Sequence, residues 1–282
     1  MEKIRRGRAS AVRLCLIVFT AAVVTGGCAQ PVAGPGMGRT TEGVEAINRD
    51  PVDYLRQLYA RCEHFDQYRL KFYRQERLGL IPTLGEMEEI NASFRKRPFS
   101  VKFEWPDAKM PYYESVYVEG QNNNMLVIRE RRGLLLAPPQ VRIIDVDLPV
   151  KIGKARNPIT VFGLANMVRR TLEPFEDPKL KKVMTITCPG VVDLDPTGRP
   201  AYHLLIRRPP AEGYRYTRQD LYVDVATGLP AGTDLWLRNG ALDARYRYAD
   251  VDPTVQLTDA DFQISQPASQ PSGSPKPDKA AR

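Results

Sequence analysis

Apolar and polar residues alternate along several short stretches of the chain. In the clearest stretch the apolar positions are Phe99, Val101, Phe103 and Trp105, with polar residues between them. A repeat of two places one set of side chains on one face of a β-strand. Residues 68–73 show the same repeat. We therefore predict antiparallel strands, each with one apolar face and one solvent-facing side.

Two hairpins are predicted where turn residues separate such stretches. Residues 116–118 and 126–128 flank Gly120–Asn124, a segment rich in residues that tolerate positive φ. Further along, Asn239-Gly240 joins two more stretches, and this dipeptide is the strongest short hairpin signal. The apolar residues on one face of this closing hairpin are Leu235, Leu237, Tyr246 and Tyr248.

Two helices are predicted from apolar residues at helical spacing. Asp50 can cap the first, and Pro51 suits its first position. Thr160 can cap the second, whose apolar face runs over residues 161–172, with Pro174 just past its end. Strands with one apolar face, together with two helices to cover them, predict an α+β fold.

The N-terminus has the three parts of a signal peptide. Five basic residues and one acid precede the eleven-residue apolar run Leu14–Val24, and Thr25-Gly26-Gly27 leads to Cys28. The arrangement resembles a lipobox, which implies cleavage after Gly27 and lipid attachment at Cys28. Thr25 departs from the leucine that is usual there. The alternatives are ordinary secretion with Cys28 incidental, or an uncleaved anchor.

The rest of the chain divides by composition. Residues 28–46 follow the signal peptide of residues 1–27 and contain Pro31, Gly34, Pro35, Gly36 and Gly38, residue types that are typical of linkers. We therefore predict a lipid anchor and flexible tether there. Residues 265–282 are rich in Pro, Ser and Gln and should be disordered. A single domain is expected over residues 47–264.

The charge of the chain argues against nucleic acid as a partner. The formal net charge is +8, of which the signal peptide carries +4. The remaining +4 is spread over a long chain, whereas nucleic-acid binding needs a concentrated basic face. A signal for export indicates instead that the protein works in the cell envelope, outside the cytoplasm.

The sequence carries no recognisable catalytic or metal-binding motif. It has two histidines, His64 and His203, and no Gly-x-Ser-x-Gly turn, phosphate loop or dinucleotide fingerprint. Cys62 and Cys188 do not combine with these histidines at a familiar zinc spacing. We predict no cofactor and a non-enzymatic role, with a hydrolase as a minor alternative. Cys62 and Cys188 are either a disulfide or two buried thiols.

The closing part of the chain contains the segments Leu221–Asp224, Thr227–Pro230, Asn239-Gly240, Tyr246–Tyr248 and Leu257–Phe262. In these segments the chain resembles the lipoprotein carriers LolA and LolB. The carrier fold implies a strongly curved antiparallel sheet, an incomplete barrel, wrapped on two principal helices around an apolar cavity. The chain also resembles the bacterial family of unknown function DUF1571. The matching segments are Gln75–Arg77, Arg97–Val101, Tyr117–Gly120 and Asn157–Thr160.

These observations lead to two functional hypotheses. In the first, an envelope lipoprotein binds a lipid or acyl chain on the concave face of the sheet, without catalysis. The ligand would contact Phe99, Val101, Phe103, Trp105, Leu235, Leu237, Tyr246 and Tyr248. In the second, the same residues fill a solid core, and the protein is a structural or protein-interaction module of the envelope. The volume enclosed behind these side chains distinguishes the two.

Overall fold

A large open antiparallel sheet dominates the computed structural model, which describes residues 41–131, 138–209 and 215–265. Twelve strands are found in these residues. They are β1 (Gln67–Leu78), β2 (Thr83–Leu84), β3 (Glu88–Arg95), β4 (Ser100–Glu104), β5 (Tyr112–Val118), β6 (Leu126–Glu130), β7 (Val141–Ile144), β8 (Thr185–Leu194), β9 (Arg199–Arg207), β10 (Tyr216–Asp224), β11 (Pro230–Leu237) and β12 (Leu242–Asp252).

The order of the strands shows why the sheet stays open. They follow one another as β7-β6-β5-β4-β3-β1-β12-β11-β10-β9-β8, and β2 pairs with β1 off this path. β7 and β8 are therefore opposite free edges, and the curved sheet does not close into a barrel. The predicted α+β fold with an incomplete barrel is confirmed.

β1 joins the two halves of this sheet. Phe72 on β1 pairs with Ile90 of β3 on one side and with Tyr248 of β12 on the other. β12 thus reaches β1 from the far end of the chain. Local patterns did not reveal β3, β7, β8 or β9. β3 buries Ala92, Ser93 and Phe94 in succession, and the edge strand β8 is mostly exposed, so neither alternates cleanly.

Four helices are described, and α2 and α4 are the principal ones. They are α1 (Thr41–Arg49), α2 (Pro51–Glu63), α3 (Leu148–Lys151) and α4 (Leu164–Glu176). Asp50 caps α2 as predicted, because its carboxylate accepts the Asp53 N–H at 2.9 Å. None of the described helices has the length and apolar character needed to cross a membrane.

Two boundaries differ from the sequence prediction. α1 begins at Thr41, inside the segment assigned to the tether, because Ile47 is fully buried and ties this turn to the core. α4 begins at Leu164 rather than 161, and Thr160 lies in a short 3-10 turn. The Leu164 N–H donates to the Tyr68 hydroxyl at 2.9 Å, which anchors the start of α4 on β1. Pro174 lies within α4, not beyond it.

The core lies between the helices and one face of the sheet, called here the inner face. It is a continuous set of buried side chains from β1, β3, β4, β9, β10, β12, α2 and α4. Leu58 of α2, Val168 of α4 and Leu70 of β1 belong to it. The helices thus cover the inner face, which carries the largest set of buried apolar side chains.

The outer face of the sheet is partly covered by residues 253–265, called here the C-terminal strap. Leu257 and Phe262 of the strap pack on Val116 and Val118 of β5. Of the predicted disordered tail, residues 265–282, only Ser265 is described, and it is hydrogen-bonded to Glu114. The rest of the tail lies outside the described residues, as do the signal peptide, Cys28 and the tether up to residue 40.

Candidate functional site

A cavity of about 230 Å³ lies between the inner face and α4. Residues 154–163, called here the covering segment, form its remaining wall together with Met167 and Thr171 of α4. At about 30 Å³ each, roughly eight water molecules would fill this volume. The inner face is therefore not completely filled by helix side chains, which is the property that distinguishes a ligand cavity from a solid core.

Aromatic rings make up much of the cavity wall. Phe72 stacks with Tyr246 and Tyr248 at centroid distances of 5.8 and 5.5 Å. Phe162 of the covering segment meets Phe103 edge to face at 4.9 Å. These rings therefore stabilise one another in stacked and T-shaped contacts and border the space without filling it.

The structure places five of the eight predicted lining residues at this main cavity. They are Phe103, Trp105, Leu235, Tyr246 and Tyr248. Phe99 instead lines a second cavity of about 210 Å³, beside Phe65 and Lys96. Leu235, Tyr246 and Tyr248 of the closing hairpin thus border the same space as Phe103 and Trp105 at the end of β4. That these side chains contact a ligand stays a prediction.

Val101 and Leu237 contact neither cavity. Val101 pairs with Phe94 on one side and Tyr117 on the other, and it is fully buried in the core. Leu237 is the last residue of β11, next to the Asn239-Gly240 turn. Both positions follow the alternation of their strands. Val101, however, is enclosed by core side chains and does not reach the cavity, and Leu237 lies beyond the end of the cavity.

Residues 154–160 of the covering segment were not predicted to line a site, whereas residues 161–163 were predicted to begin the second helix. Neither alternation nor helical spacing is present in residues 154–160, so the sequence pattern gave no signal there. The segment contributes Ile159, Val161 and Phe162 from the apolar side and Lys154 and Arg156 from the polar side. A clue was available in Phe162, a large apolar residue in a stretch that also carries Asn157-Pro158.

One end of the cavity is polar, and its polar side chains are hydrogen-bonded to neighbouring groups of the protein. Glu76 accepts a hydrogen bond from the Tyr246 hydroxyl and another from the Arg156 N–H at 3.1 Å. Burial, and next the charge of Glu76, raise the pKa of Tyr246. Arg74 pairs with Glu88 at 2.7 Å, and the Trp105 indole donates to the same carboxylate at 3.1 Å. These bonds hold the polar side chains in place.

A second polar group lies where α4 meets β10 and β11. The Gln219 amide donates to Thr171 at 2.8 Å and to Thr233 at 3.2 Å, and its oxygen accepts from Arg208 at 2.9 Å. Gln219, Thr171 and Thr233 line the main cavity, and all three are buried. Because each is hydrogen-bonded to another, they fix the position of α4 against the sheet.

His203, Arg218 and Asp220 form a cluster of charged side chains that does not line the main cavity. His203 contacts Asp220 at 2.9 Å in an ion network on the outer face, with Arg218 at 2.7 Å from the same carboxylate. Burial raises the pKa of Asp220, and the hydrogen bonds from His203 and Arg218 outweigh it, so the net shift is downward. Within residues 41–131, 138–209 and 215–265, no three acidic, histidine or cysteine side chains come together as a metal site would require.

The candidate disulfide is not formed in the structure. Cys62 and Cys188 are both buried free thiols. Burial raises the pKa of the Cys62 thiol to about 12, and burial also raises that of Cys188. The second of the two alternatives left open by the sequence, two buried thiols, therefore describes these residues.

The chain belongs to the family described as "Protein of unknown function (DUF1571)", whose model matches residues 65–270. No curated protein matches it. The solved MucA/MucB complex of Pseudomonas aeruginosa is similar at 17% identity and a TM-score of 0.39, over 77% of this chain and 61% of that one.

Two further solved structures are similar at lower identity. LprF from Mycobacterium bovis shares 7% identity with a TM-score of 0.43, over 74% of this chain and 96% of that one. A LolA superfamily protein from Nitrosomonas europaea shares 8% with a TM-score of 0.25, over 75% and 96%. This chain spans about three fifths of the MucB chains. Such distant similarity does not indicate what this protein binds.

Proposed function

We propose that this protein is an exported, lipid-anchored envelope protein that binds one apolar chain in its main cavity and catalyses no reaction. The observation that carries the proposal is the unfilled, aromatic-lined space of about 230 Å³ behind the predicted apolar face. The signal peptide and Cys28 support export and anchoring.

The size of the main cavity defines the class of ligand. It is larger than the ~150 Å³ apolar cavity that accommodates benzene, which by proportion leaves room for on the order of nine carbon atoms. It is smaller than the ~300 Å³ at which drug-sized pockets begin. One medium-length chain fits this volume, whereas a ligand with several long chains would need the cavity to open.

The energy available from such a chain is sufficient for binding. Each buried methylene contributes about 0.8 kcal/mol, so eight of them contribute roughly 6 kcal/mol. Ordering of the chain and loss of its free motion offset part of this. Binding would therefore be reversible, which suits a protein that takes up and releases its ligand.

The experiment compares two substitutions on one strand. Leu235→Trp adds bulk inside the main cavity, whereas Leu237→Trp adds the same bulk two residues further on, outside it. We expect L235W to weaken binding of the uncharged dye N-phenyl-1-naphthylamine by about tenfold, or 1.4 kcal/mol, and L237W to leave it unchanged. The readout is dye fluorescence during titration of the purified domain.

Native mass spectrometry of the purified protein supplies an independent measurement, the mass of any co-purified lipid. If the wild type binds no dye and carries no lipid, or if both variants bind dye as the wild type does, the cavity is not a binding site. The alternative function, a structural or interaction module of the envelope, would then be the better account.

A further inference from the structure

The lining of the main cavity carries more positive than negative charge. Four cationic side chains contribute to it, Arg74, Lys154, Arg156 and Arg170, and one carboxylate, Glu76. Two of these cations are neutralised by acids next to the cavity, Arg74 by Glu88 at 2.7 Å and Arg156 by the buried Asp243. The charges left over are those of Lys154 and Arg170.

Neither Lys154 nor Arg170 is needed for an ion pair in the fold. Across the described parts of the chain, no carboxylate lies within 4.0 Å of either side chain. Arg170 donates to the neutral Asn157 side chain at 3.2 Å, and both cations are exposed. An exposed cation is usually solvated surface. These two differ because they also line an apolar cavity.

Both cations lie at the solvent-exposed edge of that cavity, on two segments that a hydrogen bond joins. Asn157, which accepts from Arg170, follows Lys154 by three residues on the covering segment. Arg170 also acts electrostatically on Tyr248 in the cavity wall, where its charge opposes the rise in the pKa of Tyr248 that burial causes. The solvent edge is thus positive, and buried aromatic rings lie further in, among them Phe72 and Phe103.

Glu76 does not cancel this positive edge. Its two oxygens accept hydrogen bonds from the Tyr246 hydroxyl and the Arg156 backbone N–H. Arg74 lies two residues away on the same strand. The carboxylate is therefore held within its own set of hydrogen bonds and positive neighbours. A ligand headgroup at the edge would meet the charges of Lys154 and Arg170 first.

We propose that the ligand is an anionic amphiphile with a single chain, whose carboxylate or phosphate headgroup is held by Lys154 and Arg170 while its chain enters the aromatic cavity. This inference rests on the proposed function and adds the charge of the ligand to it. A charge-assisted hydrogen bond from Arg or Lys to such a headgroup is about twice as strong as a neutral one.

The experiment separates the headgroup from the chain. Decanoate, decyl phosphate and decan-1-ol share one chain length, and each is used to displace N-phenyl-1-naphthylamine at low ionic strength, where charge effects are least screened. The test variant is Lys154→Gln with Arg170→Gln. The control variant is Lys151→Gln with Arg169→Gln, which removes the same charge from neighbouring exposed positions that do not line the main cavity.

We expect the test variant to bind the anionic ligands about tenfold more weakly and decan-1-ol unchanged, with the control variant equal to wild type. Loss of decanoate alone, or of decyl phosphate alone, would identify the headgroup as carboxylate or phosphate. Equal affinities of wild type and test variant for both anions would overturn the inference and leave the proposed function standing. Failure of all three ligands to displace dye from wild type would overturn both.

Discussion

Glu114 on β5 is a carboxylate almost completely buried on the outer face of the sheet. Lys102 lies 2.9 Å from one oxygen and Arg129 2.7 Å from the other. The strap adds two more donors, the Ser265 N–H at 3.0 Å and the Ser265 hydroxyl at 3.2 Å. Burial raises the pKa of Glu114. The hydrogen bond and charge of Lys102, together with the other donors, lower this pKa by more than burial raises it, so the net shift is downward.

This shift makes a prediction about acid stability. A carboxyl whose pKa is lower when folded stabilises the protein above its unfolded pKa, and the contribution is lost as the pH falls through the folded value. We expect Glu114→Gln to lower the free energy of unfolding at pH 7 by about 1.5–3 kcal/mol, because the buried Lys102 loses its close carboxylate and keeps only Glu104 at 3.5 Å and the Gln263 carbonyl at 3.1 Å. As the pH falls below the unfolded value of about 4.3, the difference from wild type should begin to shrink, because Glu114 becomes protonated in the unfolded chain first. The difference disappears only below the lowered folded pKa, where Glu114 is protonated in both states.

Urea unfolding at pH 7 and pH 3.5 measures this difference. Glu104→Gln is the matched control, because Glu104 also approaches Lys102, at 3.5 Å, but is 46% exposed. Its substitution should cost less than about 1 kcal/mol. A Glu114→Gln protein as stable as wild type at pH 7 would show that the ion pair is not a stabilising feature.

α1 is held to the rest of the molecule by a side chain that pairs with the edge of the sheet. The Asn48 amide donates to the Cys188 carbonyl at 2.8 Å and accepts the Cys188 N–H at 2.7 Å. Cys188 lies in β8 between Thr187 and Gly190, where the register of pairing with β9 shifts. Its backbone N–H and carbonyl are therefore available to the Asn48 side chain. Asn48 therefore takes the place of a neighbouring strand at this one position and limits the exposed edge.

Removing this side chain should loosen the edge of the sheet. We expect Asn48→Ala to reduce the free energy of unfolding by about 1–3 kcal/mol, because two backbone groups of a buried residue lose their partners. Glu45→Ala in the same helix is exposed and should change stability by less than about 0.5 kcal/mol. Urea unfolding gives the energies, and faster hydrogen exchange at the Cys188 amide in Asn48→Ala would locate the effect. Unchanged exchange there would contradict the assigned role.

At the scale of the whole molecule, the proposed function attaches the protein to a membrane through Cys28, which lies outside the described residues. If Cys28 carries two acyl chains, it supplies stable membrane affinity, whereas one chain gives only reversible binding. We expect Cys28→Ser to move the protein from the membrane fraction to the soluble fraction. Cys15→Ser, within the apolar run of the signal peptide, keeps the anchor and serves as the control.

Cell fractionation with intact-mass measurement of the purified protein tests this prediction. The wild type should carry the additional mass of lipid, and Cys28→Ser should not. Identical fractionation of the two proteins together with an unmodified wild-type mass would favour ordinary secretion or an uncleaved signal over the lipoprotein interpretation.

Features set by neighbours along the chain could be predicted from the sequence. The alternation at Phe103 and Trp105, the Asn239-Gly240 turn between β11 and β12, and the Asp50 cap of α2 all appear in the structure. In each case the physical cause acts over a few residues: the two-residue repeat of a strand, the backbone freedom of a turn, or a carboxylate within reach of the next N–H groups.

Only the tertiary structure decided which apolar residues enclose a space and which fill one. Val101 and Phe103 share a strand face, yet Val101 is closed in by Phe94 and Tyr117 while Phe103 borders the cavity. The difference depends on the covering segment and on β12 pairing with β1 across most of the chain. A cavity is the volume that distant side chains leave unfilled, and a repeat within one strand cannot report that volume.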